Sequence, residues 1–220
     1  MDAAAATLGE SGVRYPPAPE GCTFYVIGDI HGRLDLLLEV QRRIDDDKAS
    51  FPAAHVTEIY LGDYIDRGPE SAGVVTRLIG RAQETHARFL RGNHEQMLLD
   101  FLAGDDACLD LWRTVGGMAT LHSYGVKAGL ATRWAPASAM RRILNERLPP
   151  EHRSFFEQTG SYIRMGAYLA VHAGIRPGVR LEDQHTADLL SIRGLPAARW
   201  RLRLHRRARA HAGAGARPAQ

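Results

Sequence analysis

Four short polar motifs stand out in the sequence, each built around acidic, amide or imidazole side chains next to glycine: GDIHGR, GDYIDRG, RGNHE and HAG. The residues in them that could do chemistry are Asp29, His31, Asp63, Asp66, Arg67, Arg91, Asn93, His94 and His172. Mixed oxygen and nitrogen ligands suit Mn²⁺, Fe or Zn²⁺, and arginine forks match phosphate oxygens. A single aspartate after a strand is often only a helix cap, but independent caps have no reason to recur in this order. The set therefore predicts a metal centre.

Short apolar runs precede the first three motifs, and amphipathic segments follow them. Three runs are rich in the β-branched and aromatic residues typical of strands: CTFYVIGD, VTEIYLGD and HARFLRGN. The segment LDLLLEVQRRIDDD, in contrast, has the apolar spacing of a helix. This alternation predicts a layered α/β fold with adjacent parallel strands, whose active site collects at their carboxyl ends. We therefore expect the GDIHGR, GDYIDRG and RGNHE loops to meet in space.

The segments outside these units are less regular. Residues 106–158 predict a helical insertion, which could either cap the site or serve plain helix packing; we interpret Trp112, Met118 and Tyr124 there as packing residues. SYIRMGAYLAVHAG predicts two strands around a Met-Gly turn, with His172 after the second. Residues 1–20 are rich in Ala, Gly and Pro and predict a disordered leader.

Composition bounds the kind of protein this can be. The 220 residues contain no apolar stretch long enough for a membrane span, and Cys22 and Cys108 match no metal or redox spacing. The formal charge of +3 is concentrated in residues 194–220, which hold seven arginines and no acid, so residues 1–193 carry −4. A nucleic-acid protein would carry its basic face within the fold. We expect a cytoplasmic monomer without nucleic-acid or membrane partners.

The motifs resemble those of the metal-dependent serine/threonine protein phosphatases, in their bacterial and phage-lambda-like form, within the calcineurin-like metallophosphoesterase superfamily. That pattern is GDxHG, GDxxDRG, GNHE, HxG and a later GH(T), and the first four are intact between residues 23 and 176. The resemblance implies a layered β-sheet sandwich flanked by helices, with a catalytic domain over residues 21–193 and its C-terminal strands missing.

The resemblance also implies a role for each motif residue. Asp29 and His31 would bind the first metal, Asn93 and His172 the second, and Asp63 both; His94 would be the general acid, oriented by Asp66; Arg67, Arg91 and Arg193 would hold the phosphate. The implied cofactors are two divalent ions, Mn²⁺ first and Fe or Zn²⁺ as alternatives. The implied reaction is in-line attack of a metal-bridging hydroxide on a phosphate monoester, in a phosphoprotein or a small phosphoester.

The family's last motif is missing from this chain, because no Gly-His follows Arg193. Residues 194–220 would ordinarily be a solvated basic extension. With suitable codons, however, the +1 frame across Arg206 to Gly213 encodes His-Gly-His-Thr, so we hypothesise that residues 194–220 are a non-native frameshift product. Two further alternatives stay open, a symmetrical dinucleoside tetraphosphate hydrolase and an impaired, non-catalytic remnant.

Overall fold

The computed structural model describes residues 19–126 and 136–192. Most of the predicted leader, the predicted frameshift tail and Arg193 lie outside these ranges. The described chain forms a mixed α/β structure, and in chain order its elements are β1 Cys22–Ile27, α1 Leu34–Ser50, β2 His55–Tyr60, α2 Ser71–Glu84, β3 Ala87–Phe89, α3 Asn93–Ala103, α4 Cys108–Thr114, α5 Gly117–Ser123, α6 Ala137–Arg147, α7 Pro150–Gln158, β4 Tyr162–Met165, β5 Tyr168–Val171, a 3₁₀ turn Leu181–Asp183 and α8 Thr186–Ser191.

A parallel three-stranded sheet forms the centre of the described chain. Its order is β1-β2-β3, and helices α1 and α2 make the two crossovers between neighbouring strands. One face of the sheet, which includes Tyr60, packs against the helices in the larger of the two apolar cores. The predicted layered α/β fold with adjacent parallel strands is confirmed.

A hairpin of β4 and β5 covers part of the other face of the sheet. The two strands are antiparallel, and Gly166, with φ of 62°, lies in the turn between them. Ile59, Leu90, Met165 and Ala170 form a second, smaller core between the sheet and the hairpin. The two strands predicted around the Met-Gly turn are therefore present, and His172 directly follows β5.

The predicted helical insertion is present as α4 to α7 over the described residues. Trp112, Leu121, Met140 and Phe156 are fully buried and pack against α2 and α3 in the larger core. Buried apolar side chains of this size supply most of the driving force for docking such short helices. No helix in the described ranges is both long and apolar enough to cross a membrane.

Candidate metal and phosphate site

The loops that follow β1 and β2 are joined by main-chain hydrogen bonds. His31 N–H donates to the Asp63 carbonyl at 2.8 Å, and Gly68 N–H donates to the His31 carbonyl at 3.0 Å. A Cβ on Gly68 would lie 2.2 Å from the His31 oxygen, and a Cβ on Gly92 would lie 2.1 Å from Asp63 Oδ1. Only glycine therefore fits these two positions, and the three loops meet as the sequence predicted.

The backbone strain of the described chain is concentrated in these loops. Its non-glycine residues with φ in the left-handed region are His31 (46°), Asp63 (53°), Asp66 (73°) and Arg67 (65°). Such a conformation costs about 1 to 3 kcal/mol per residue and persists only where the surroundings enforce it. All of these residues are candidate site residues, so the strain serves to aim their side chains.

The fully buried carboxylate of Glu95 stabilises these loops by accepting hydrogen bonds from their backbone. It accepts hydrogen bonds from the backbone N–H groups of Asp63 and Tyr64, both at 2.8 Å, and of Gly92 at 2.9 Å. Burial raises its pKa to about 7, with the charge of Asp63 adding to the effect while the backbone donors oppose it. Glu95 thus joins the second and third loops.

Asp29, His31 and Asp63, the residues predicted to bind the first metal, form a first group of side chains around the His31 ring. His31 Nδ1–H donates to the Ile65 carbonyl at 2.9 Å, so Nε2 carries the lone pair. Nε2 is buried without a hydrogen-bond partner and lies 3.7 Å from a carboxylate oxygen of Asp29 and of Asp63. A lone pair facing two carboxylates without a donor between them is the arrangement of a cation site.

Asp63, His172 and Asn93 form the second group. His172 Nδ1–H donates to the Leu61 carbonyl at 2.9 Å, which again leaves the lone pair on Nε2. That nitrogen lies 3.1 Å from Asn93 Oδ1 and 3.4 Å from Asp63 Oδ1, so three acceptor atoms face one another. Asp63 belongs to both groups. Among the described residues, the acidic and imidazole side chains close enough to hold a metal ion form two sets, Asp29 with Asp63 and His172, and His31 with Asp63 and His94.

His94 and Asp66 form a buried pair beside these groups. His94 Nδ1–H donates to Asp66 Oδ2 at 2.5 Å, and its Nε2 lies 3.8 Å from Asp63 Oδ2. Burial alone would lower the pKa of His94, but the bond to Asp66 and the charges of Asp63 and Asp66 outweigh burial and raise it. Because Nε2 faces the site, His94 could donate a proton there; it could also join His31 and Asp63 around a metal.

Of the two predicted phosphate-binding arginines that the structure describes, Arg67 is the exposed one. Its Nη2 lies 3.4 Å from His94 Nε2, a long distance for a hydrogen bond, and its Nε donates to the Val115 carbonyl at 3.4 Å. The weak contacts leave the guanidinium able to bind an anion beside His94.

The Arg91 guanidinium, unlike that of Arg67, already donates several hydrogen bonds to other groups of the protein. Its donors reach Thr159 Oγ1, Gln96 Oε1 and the carbonyls of Phe156 and Glu157, at 3.0 to 3.1 Å. These bonds fasten the third loop to the end of α7. Its role as a phosphate ligand stays a prediction, as does that of Arg193, which lies outside the described residues.

Sequence reasoning missed two side chains that contact the site from the helical insertion. Trp112 Nε1–H donates to Asp66 Oδ2 at 2.8 Å, and Thr120 Oγ1–H donates to Asp66 Oδ1 at 2.5 Å. The interpretation of Trp112 as a packing residue is confirmed by its full burial but omits this bond. The sequence gives one indirect signal for this bond: a tryptophan that is expected to be buried must find an acceptor for its indole N–H.

Comparison with known proteins agrees with the motifs. A model of the calcineurin-like phosphoesterase family matches residues 22–196. The chain is 37% identical to "Serine/threonine-protein phosphatase 1" of Salmonella typhimurium, over 42% of this chain and 38% of the relative. It is 40% identical to "Serine/threonine-protein phosphatase 2" of Escherichia coli, over 42% and 38% respectively. "Bis(5'-nucleosyl)-tetraphosphatase, symmetrical" of Yersinia enterocolitica is 39% identical, over 36% of this chain and 25% of the relative.

The chain thus spans well under half the length of these relatives, and their substrates differ from one another. The family match, in contrast, extends over most of the chain and includes all four polar motifs. The protein belongs to the calcineurin-like phosphoesterase family.

Proposed function

We propose that this chain is a metal-dependent phosphatase that hydrolyses phosphate monoesters, with phosphoserine and phosphothreonine in proteins as its substrates. The observation that supports this most strongly is the sharing of Asp63 between two candidate metal groups beside the His94–Asp66 pair. A phosphate ester bound there would face the positive charge of the metal ions on one side and His94, a proton donor, on the other. The relatives named serine/threonine-protein phosphatase favour this substrate class.

The residues present fit the divalent ions that the family implies. Nε2 of His31 is buried without a hydrogen-bond partner, and Nε2 of His172 lies 3.1 Å from Asn93 Oδ1 and 3.4 Å from Asp63 Oδ1. Asp29, His31 and Asp63 would hold one ion, and Asp63, Asn93 and His172 the other. When bound, the two ions would lower the pKa of a water molecule and neutralise phosphoryl oxygens. We propose Mn²⁺, which suits this oxygen and nitrogen set.

The chain's own side chains would complete the reaction. Arg67 would bind a phosphoryl oxygen through its exposed guanidinium. His94, whose pKa is raised, would donate the Nε2 proton to the departing alkoxide oxygen, while Asp66 holds the ring through Nδ1–H. We assign these residues to a catalytic domain over residues 21–193, with Arg193 as a third phosphate ligand.

A dinucleoside tetraphosphate is the second candidate substrate, because the Yersinia enterocolitica relative is as similar over its matched residues as the phosphatases are. Both substrates present a phosphate to the same motif residues. The selective contacts would therefore come from other surfaces, of which the helical insertion is the nearest.

A substrate panel with purified protein and Mn²⁺ tests the proposal. Release of phosphate from a phosphoserine peptide and from an aryl phosphate, abolished by a chelator, is the expected result. Cleavage of a dinucleoside tetraphosphate without peptide turnover would favour the second candidate. No turnover of any substrate, with metal bound, would overturn both and indicate a non-catalytic remnant.

A further inference from the structure

We propose that Trp112 and Thr120, side chains of the helical insertion, are positioning residues that set the orientation of the Asp66–His94 pair. This inference rests on the proposed role of His94 as the proton donor. It gives the insertion a role in orienting the proton donor, beyond the packing and substrate contact that its position would otherwise suggest.

Three donors converge on the two oxygens of the Asp66 carboxylate, which is fully buried. Oδ2 accepts from His94 Nδ1 at 2.5 Å and from Trp112 Nε1 at 2.8 Å, and Oδ1 accepts from Thr120 Oγ1 at 2.5 Å. Without the second and third donors, the carboxylate could rotate about its side-chain bonds and would carry the imidazole with it. The two insertion residues therefore restrict the plane in which Asp66 meets His94.

Thr120 also binds the backbone of the same residue. Its Oγ1 accepts from Asp66 N–H at 2.9 Å, and Ser71 Oγ lies 3.0 Å from it. Since the one hydroxyl proton of Thr120 goes to the carboxylate, Ser71 must donate to Thr120. The result is a directed chain of hydrogen bonds from α2 through α5 to Asp66, whose φ of 73° needs such support.

The turn between α4 and α5 is shaped for these contacts. A Cβ on Gly117 would lie 2.7 Å from the Trp112 ring, so α5 can rest on the indole only because this residue is glycine. Thr120 follows three residues later, on the same face of the helix. The Gly116 carbonyl accepts Arg67 N–H at 3.1 Å, so the turn also fixes the residue after Asp66.

Two variants remove the donors and preserve shape. Trp112→Phe keeps an aromatic ring against Gly117 but lacks the N–H, and Thr120→Val is isosteric but lacks the hydroxyl. Thr120→Ser restores the hydroxyl and should recover activity. Thr76→Val is the matched control, because it removes a hydroxyl bonded to His152 at the contact between α2 and the insertion, away from Asp66.

Turnover of two aryl phosphates gives the kinetic readout. A misoriented acid matters most when the leaving group is poor, so Trp112→Phe and Thr120→Val should lose about tenfold in kcat with phenyl phosphate and less than about twofold with p-nitrophenyl phosphate, a part of the 10²-fold or more that general acids contribute. His94→Asn should show the same bias more strongly. Equal losses on both substrates in the insertion variants, with His94→Asn still biased, would overturn the inference and leave the proposed function intact.

Nuclear magnetic resonance of the His94 ring gives a readout that needs no turnover. In protein labelled with ¹⁵N-histidine, the hydrogen-bonded Nδ1–H proton should resonate at low field and move upfield in Trp112→Phe and Thr120→Val, but not in Thr76→Val. An unchanged resonance in both insertion variants would refute the positioning role, even in a protein without activity. If Trp112→Phe does not fold, Thr120→Val and Thr120→Ser alone carry the test.

Discussion

Two regions of the molecule meet at Asp66 and are built differently. The loops after the strands are joined by main-chain bonds such as His31 N–H to the Asp63 carbonyl, with glycines at the closest approaches. The helical insertion docks by apolar packing and contacts the Asp66 carboxylate through the side chains of Trp112 and Thr120. The loops carry the proposed reacting groups, and the insertion supplies two side chains that bind the carboxylate proposed to orient His94.

This difference predicts separable effects of substitution. A change to a loop side chain should remove a proposed metal or phosphate contact while leaving the core packing as it is. A change in the insertion first alters the packing or hydrogen bonding between helices, so its effect is on stability unless it reaches Asp66. The predictions below test this separation, beginning with the largest expected effect.

Asp63→Asn should be the most damaging substitution, because Asp63 belongs to both candidate metal groups. We expect loss of bound metal and a fall in activity beyond about 100-fold, which removal of even an outer partner of a metal ligand can cause. Metal content by mass spectrometry and turnover of an aryl phosphate measure it. Asp110→Asn, at a carboxylate of α4 that is 90% exposed, is the control and should retain both properties. A fully metallated Asp63→Asn protein would contradict the shared-ligand assignment.

His94→Asn should come next, with a fall in kcat of about 100-fold or more and unchanged metal content. The reason is that His94 is proposed to donate a proton rather than to bind a metal, although its Nε2 lies 3.8 Å from Asp63 Oδ2. His122→Asn, at an exposed histidine of α5, is the control. Loss of a metal ion from His94→Asn would instead assign His94 as a ligand with His31 and Asp63.

The loop region was largely predictable from the sequence. Strand patterns followed by Gly-Asp and Gly-Asn motifs are local signals, and parallel strands bring the loops at their carboxyl ends together. The left-handed conformation of His31 and Asp63 was not predictable, because nothing in the residue type requires it. The engagement of Arg91 with the end of α7 was also hidden, since its partners lie 65 to 68 residues away for three of its four bonds.

The insertion was predictable only as helix. The bonds of Trp112 and Thr120 to Asp66 span 46 and 54 residues, and no periodicity or motif marks such a pairing in a single sequence. Trp112 was correctly predicted to pack, because a large aromatic side chain in an amphipathic segment is normally buried. Which polar group its N–H would meet depends on how the helices dock, and tertiary packing decides that.

The two metal groups should differ in affinity. The group proposed for the first ion has two carboxylates and an imidazole, from Asp29, Asp63 and His31, whereas the second shares Asp63 and adds only the neutral Asn93 and His172. We expect calorimetric titration with Mn²⁺ to give one tight event and one at least about tenfold weaker, because fewer anionic ligands hold the second ion. His31→Ala should remove the tight event and His172→Ala the weak one. Two equally tight events would show that another group completes the second site.

The smallest expected effect is a pH dependence of stability that belongs to the insertion. His152 of α7 is buried; its Nδ1 lies 2.9 Å from Tyr124 Oη and its Nε2 lies 3.1 Å from Thr76 Oγ1. Thr76 Oγ1–H donates to the Ala72 carbonyl, so Nε2–H must donate to Thr76 and Nδ1 must accept from Tyr124. Burial lowers the pKa of His152 below its ordinary value of 6.5, against a smaller opposing effect of Glu151.

The sign of that effect follows from proton binding in the two states. As the pH falls below 6.5, the unfolded chain takes up a proton at residue 152 that the folded chain does not, so the free energy of unfolding decreases. The decrease from this residue is at most about 1.4 kcal/mol for each pH unit and ends below the folded-state pKa.

Urea unfolding of the metal-free protein at pH 8 and pH 5.5 measures this decrease. His152→Gln, which cannot titrate, should lose less stability than the wild type over this interval, whereas His122→Gln at the exposed histidine should match the wild type. Parallel losses in all three proteins would show that the buried histidine does not couple the insertion to pH.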